Sequence, residues 1–140
     1  MSCIFCEMIE GEAPASVVYR DEDVFAALDI VQPNPHKVLV MPTRHVPDLY
    51  TLSEGEAAAL FAVVPRIARG IRRASGCTGL NILQSNGRDA GQTVFHLHIH
   101  LFPRFRDDGV RFDWSGEMPE RDVLDDMARD IARAMQADSS

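Results

Sequence analysis

The sequence predicts an α+β domain built on a mainly antiparallel five-stranded sheet, and three observations carry that expectation. Short runs rich in β-branched and aromatic residues come early and follow one another as a meander. A long stretch of helical periodicity interrupts them, and further strand-like runs come after it. Strands grouped in this way, rather than alternating singly with helices, indicate an antiparallel sheet with one long helix against it.

The elements follow in order. After the knuckle "CIFC" (3–6), "EMIEGE" reads as a helical turn closing at Gly11. "SVVYR" and "VFAALDI", separated by the turn-like "DED", form a hairpin, and "QPNPH" then breaks the chain before a third strand, "KVLVMP". Ser53 followed by Glu56 is a capping box that opens a long helix. Its apolar positions Leu60, Phe61, Val64, Ile67, Ala68 and Ile71 keep one face, and Gly76 stands just past its end. Pro65 removes one hydrogen bond inside it and is expected to kink it. "LNILQS" is a fourth strand, "NGRDAGQ" a polar loop and "VFHLHIHLFP" a fifth strand.

Beyond Pro103 the charge density rises. "PERDVLDDMARDIARAMQ" is an amphipathic helix with Val123, Leu124, Met127, Ile131 and Ala134 on one face. Its acids come early and its arginines late, the sense that complements a helix dipole. We therefore expect a main domain over 1–105 and a C-terminal extension over 106–140, its helix packed on the same domain or on a dimer partner.

Composition narrows the function. A net charge of −7 argues against a nucleic-acid partner, because such affinity depends on an excess of Lys and Arg. No apolar run has the length of a membrane span, and the start lacks the layout of a signal peptide, so a cytoplasmic protein without membrane contact is expected. Cys3, Cys6 and Cys77, with no export signal, do not suggest a disulfide framework.

The stretch "TVFHLHIHLFPRF" (93–105) holds three of the five histidines in the chain. Alternate side chains of a strand point the same way, so His96, His98 and His100 share one face while Leu97, Ile99 and Leu101 turn to the core. Such a row has three readings: a polar strand face, a metal site, or nucleophilic catalysis in which one neutral imidazole attacks and a neighbour handles protons. The loop leading into the strand favours phosphorus as the electrophile. Asn86, Gln92, Thr93 and Gly-linked N–H groups are donors suited to phosphate oxygens.

Cys3 and Cys6 form a CxxC with no strand before it, unlike the setting of a thiol redox pair. An empty dithiol, a redox pair and half of a zinc site are its readings. Zinc wants four S or N ligands, and His45 and His96 are the available candidates for the other two.

"HLHIHLF" fits the alternating histidine and hydrophobic signature of the histidine-triad (HIT) superfamily. "GEAPASVVYRDEDVFAALDI" resembles its N-terminal hairpin, "VLVMPTRH" its third strand, and "GLNILQSNGRDAGQTVFH" its approach to the triad. The likeness covers residues 2 to 105 and is nearest to the small bacterial, Hint-like, zinc-bearing members.

The resemblance implies a HIT-like fold and a nucleotide hydrolase. His98 would attack the α-phosphorus of a purine nucleoside monophosphate joined to a leaving group, through a covalent nucleotidyl-histidine. His100 would assist beside the phosphate and leaving group. Asp29 would accept from ribose hydroxyls, Ile30 and Phe25 would wall the base unless they are simple core, and Asn86, Gln92 and Thr93 would lie at the phosphate. Cys3, Cys6, His45 and His96 would hold a structural zinc, and the chain would pair as a homodimer. Asn86 favours a Hint-like phosphoramidase. A dinucleoside polyphosphate hydrolase, a nucleotidylyltransferase, and a nucleotide- or zinc-binding module with little turnover are the other readings.

One departure stands out. The family usually has Gly-His before its "LVIP" run, and this sequence aligned without a gap has His36 in the glycine's place and Lys37 in the histidine's.

Overall fold

In a computed structural model, which describes residues 2–138, the chain forms two compact units divided between Val110 and Arg111. Within the first, the described residues form five strands and two α-helices: α1 (Ile4–Glu10), β1 (Val17–Arg20), β2 (Val24–Leu28), β3 (Val38–Pro42), α2 (Glu54–Ser75), β4 (Gly79–Gln84) and β5 (Ile99–Arg104). The strands make one sheet in the order β1-β2-β3-β5-β4, and every neighbouring pair is antiparallel.

The expected signals act where the sequence places them. The Ser53 hydroxyl accepts from Glu56 N–H while the Glu56 carboxylate accepts from Ser53 N–H, and α2 ends at Gly76 in the left-handed conformation. Helix α2 runs through Pro65 and buries Leu60, Val63, Val64, Ile67 and Ile71 against one face of the sheet. There they meet Val38, Val40, Leu97, Ile99 and Leu101, each large aliphatic side chain stabilising the fold by about 1.5–3 kcal/mol.

The opposite face carries the site. Strand pairing sets Phe25 opposite Met41, Ala27 opposite Leu39, and Leu39 opposite His100. Phe5 and Ile9 of α1 cover Phe25, Ala27, Leu39 and Met41 in a second core. The sheet therefore separates a helix-backed core from a face where α1 and the histidine strand meet.

The fifth strand is shorter than its sequence pattern. Pairing with β3 and β4 ends at Ile99, opposite Val40 and Gln84. Upstream, Leu97 N–H donates to Val46 O instead, so this backbone is held by the segment after β3 rather than by the sheet ladder. Side-chain alternation survives the change, with Leu97, Ile99 and Leu101 in the helix-backed core.

Residues 106–110 stay with the sheet unit for a local reason. Asp108 accepts from Asn34 Nδ2, from the Arg104 guanidinium and from the N–H groups of Phe105 and Val110. The second unit contains α3 (Arg121–Asp138), on which Val123, Met127, Ile131 and Met135 are exposed. Among the described residues no helix is long and apolar enough to cross a membrane.

Candidate functional site

Three segments bring the first cluster together: the N-terminal knuckle, the turn after β3 and the approach to β5. The ligating atoms of Cys3, Cys6, His45 and His96 all lie within 4.8 Å of one another. Cys3 Sγ and Cys6 Sγ are each 3.5 Å from His96 Nδ1, and Cys6 Sγ is 3.5 Å from His45 Nδ1. A tetrahedron with ordinary Zn–S and Zn–N bonds has S···N edges of about 3.5 Å, so the spacing fits a zinc ion.

The hydrogen bonds fit it too. His96 is fully buried, and its Nε2–H donates to Pro42 O at 2.8 Å. In the neutral ring that fixes a lone pair on Nδ1, the atom facing the thiols. Burial lowers the His96 pKa, which keeps the ring in the neutral, ligating form. Burial and then the neighbouring Cys3 thiol push the Cys6 thiol up to about 11. The four side chains together could hold a metal ion.

The second cluster lines a cleft of about 530 Å³ whose wall includes Asp29, Ile30, Thr93, His98 and His100. His98 is 9% exposed, and its Nδ1–H donates to the carbonyl of His96 at 2.8 Å. The Nε2 of the neutral ring is then the atom with a free lone pair. Burial depresses the His98 pKa, which favours that neutral form. Phe5 packs edge-on against His98 at 5.0 Å and against His96 at 5.9 Å, and the rings of His98 and His100 lie 4.9 Å apart.

Behind His100 stands a charged pair. Lys37 Nζ contacts His100 Nδ1 at 2.9 Å and also forms an ion pair with the Asp29 carboxylate. Burial pushes the Asp29 carboxyl up, but the Lys37 ammonium and Val31 N–H outweigh it, and the carboxyl lies below its ordinary value. For His100, burial and then Lys37 and His98 lower the pKa to about 4. His36 is exposed, with φ at +74°, and borders a separate cleft with Tyr19 and Arg66. It occupies the left-handed conformation that suits a glycine, which agrees with the gapless alignment and leaves Lys37 facing the site.

The remaining expected residues divide by their contacts. Ile30 is 98% exposed at the cleft, so it is not core, whereas Phe25 is fully buried beneath the sheet face. Thr93 lines the cleft. Asn86 exchanges hydrogen bonds with Gln84 and accepts from Leu49 N–H. Gln92 is buried, accepts from Gly87 N–H and donates to Pro47 O and Val94 O, which pins the loop before the triad. Phe5 and the buried setting of Lys37 add to the expected list. Phe5 sits inside the "CIFC" knuckle, but its reach to His98 depends on how α1 docks.

Comparison with known proteins places the chain. A family model described as "HIT domain" matches residues 10–107. The chain belongs to the HIT family. It is 44% identical to Protein hit of Bacillus subtilis over 114 residues, covering 81% of this chain and 79% of that protein. It is 32% identical over 129 residues to adenosine 5'-monophosphoramidase HNT1 of Candida albicans, covering 88% of this HIT chain and 84% of that one. The crystal structure of a zinc-bound histidine triad family protein from Mycobacterium smegmatis superposes with a TM-score of 0.75 at 37% identity, covering 99% of this chain and 97% of that one. The HIT family includes nucleotide hydrolases; His45 and the three histidines of the triad fall within the matched residues 10–107, and Cys3 and Cys6 lie before them.

Proposed function

We propose that this HIT protein hydrolyses the bond between the α-phosphate of a purine nucleoside monophosphate and its leaving group, as a Hint-like phosphoramidase. One observation carries the reading: a neutral His98, with Nδ1–H tied to His96 O, lines a cleft large enough for a mononucleotide. The likeness to a monophosphoramidase supports the choice of leaving group.

In the first step the Nε2 lone pair of His98 forms an N–P bond while the bond from phosphorus to the leaving group breaks. The electron pair stays with the leaving group, which takes its proton from water. In the second step a water oxygen attacks phosphorus, the N–P bond breaks, and the nucleoside monophosphate leaves as His98 recovers its lone pair, the proton shed by the attacking water returning to the hydroxide formed in the first step. His100 lies beside the phosphate throughout. Asp29 receives the ribose hydroxyls, Ile30 covers the base, and Thr93 with the loop N–H groups meets the phosphate oxygens. Asn86 and Gln92 hold the loop in shape for that contact.

Cys3, Cys6, His45 and His96 would hold a structural zinc, which ties α1, the turn after β3 and the approach to β5 together. The chain would act as a homodimer joined along the free edge of β4 and the adjoining α2, a surface where Ile82 and Phe61 are half-exposed.

The test is hydrolysis of an adenosine phosphoramidate and, separately, of diadenosine polyphosphates, with His98→Ala as the control. Cleavage of the phosphoramidate by the native chain alone is expected. Exclusive cleavage of the polyphosphates would reassign the substrate, equal activity in His98→Ala would remove the mechanism, and no cleavage of either would favour a binding module.

A further inference from the structure

Lys37 is 7% exposed, contacts His100 Nδ1 at 2.9 Å and is ion-paired with Asp29. A lysine ammonium has three donors and no acceptor, so the ring atom that meets it must accept. The hydrogen of a neutral His100 is then confined to Nε2, the far side of the ring.

From this contact we propose that Lys37 is a positioning residue that locks His100 as the Nε2–H tautomer and so makes it a fixed hydrogen-bond donor to the reacting phosphate. The proposal rests on the hydrolase reading above for its catalytic part and stands without it for its tautomer part. A neutral ring whose other nitrogen is occupied by an ammonium has no second proton to give. His100 therefore donates a hydrogen bond and does not hand a proton to the leaving group, consistent with that proton coming from water. Replacing the ammonium by an apolar chain frees Nδ1 to take either a proton or the tautomeric hydrogen.

Asp29 completes the arrangement. Its carboxylate holds the Lys37 ammonium between the end of β2 and the histidine, and its other oxygen accepts from Val31 N–H at 3.0 Å. A nucleotide ribose that meets Asp29 thus meets the group that fixes His100. The charged or titratable groups facing His100 are Lys37, Asp29 and His98, and the β4 residue opposite it is Leu83. Removing the ammonium leaves Asp29 as the uncompensated charge, which draws a proton onto His100.

The experiment is two-bond ¹H–¹⁵N correlation of histidine-labelled, zinc-loaded protein as a function of pH, with His100→Gln to assign the ring. The native chain should show His100 as an uncharged Nε2–H ring from pH 7 down to the lower limit of stable spectra. Lys37→Arg should keep that signature, and Lys37→Met should lose the single tautomer and acquire a proton at higher pH. With an adenosine phosphoramidate, Lys37→Met should lower kcat by about tenfold or more, with KM changed by less than about threefold. A native His100 in the Nδ1–H form overturns the proposal, whatever the variants do. So does an unchanged tautomer and titration in Lys37→Met, or an unchanged kcat. Failure of the native chain to hydrolyse anything, with the expected spectra, instead sinks the hydrolase reading.

Discussion

The ring of His98 donates through Nδ1 to the backbone carbonyl of His96, 2.8 Å away. His96 is at once a member of the four-ligand cluster and the residue whose main chain sets the tautomer of the proposed nucleophile. Holding the His96 ring in place therefore holds the carbonyl that orients His98, so a metal ion held by the cluster would support the proposed nucleophile without touching substrate.

Metal content follows from that coupling. Protein purified without chelator should carry close to one zinc per chain by elemental analysis, and Cys6→Ser should lose it. The variant should be destabilised by about 3 kcal/mol or more, since structural zinc binding is folding free energy. That corresponds to a fall in Tm of roughly 10 °C. Metal-free native protein of undiminished stability would rule out the zinc assignment.

Exposure of Ile30 gives a second prediction. An almost fully exposed isoleucine at a cleft gains by covering an apolar face of a ligand. Partial burial of one aliphatic side chain is worth about 1 kcal/mol. Ile30→Ala should raise KM for a nucleotide substrate about fivefold and leave kcat near the native value. Steady-state kinetics decides it, and a loss confined to kcat would move Ile30 out of the base site.

Loop rigidity depends on Gln92, whose buried amide accepts from Gly87 N–H and donates to Pro47 O and Val94 O. Gln92→Ala leaves those half-buried backbone groups without that partner, at a cost of about 1 kcal/mol. Amide exchange should quicken at Gly87. An exchange pattern matching the native chain would show that another group takes over.

Acid should loosen the fold through His100. Its folded-state pKa of about 4 lies below the ordinary value of 6.5, mainly because of burial. Between those values the unfolded chain binds more protons than the folded one, so stability rises with pH through that window. The contribution is complete above 6.5 and is lost as pH falls toward 4. Thermal melts from pH 7 to pH 5 should fall in the native chain and fall less steeply in His100→Gln. Parallel curves would contradict the assignment.

The α+β class, the strand order along the chain, the capping box and both ends of α2 were legible because each rests on local chemistry. The same is true of the alternation that puts Leu97, Ile99 and Leu101 on one side and the histidines on the other. The start of β5 was not legible, because pairing stops at Ile99 although β3 runs on to Pro42; Leu97 N–H turns to Val46 O instead, and the pattern of side chains continues regardless. Nor does composition tell whether Ile30 or Phe25 reaches the cleft, since both are apolar residues of one segment. Phe25 lies within β2 and is fully buried under α1, whereas Ile30 follows the end of β2 and is 98% exposed. Lys37 was visible as a departure, but its contact with both Asp29 and His100 arises only when β2, β3 and β5 lie side by side.

The most direct measurement is acid-quenched mass spectrometry of the chain mixed with an adenosine phosphoramidate at high enzyme concentration. A transient adenylyl adduct is expected on the peptide containing residue 98, stable to base and labile to acid over longer times, and no adduct in His98→Ala. Turnover with the adduct on another residue, or equal turnover by His98→Ala, would contradict it.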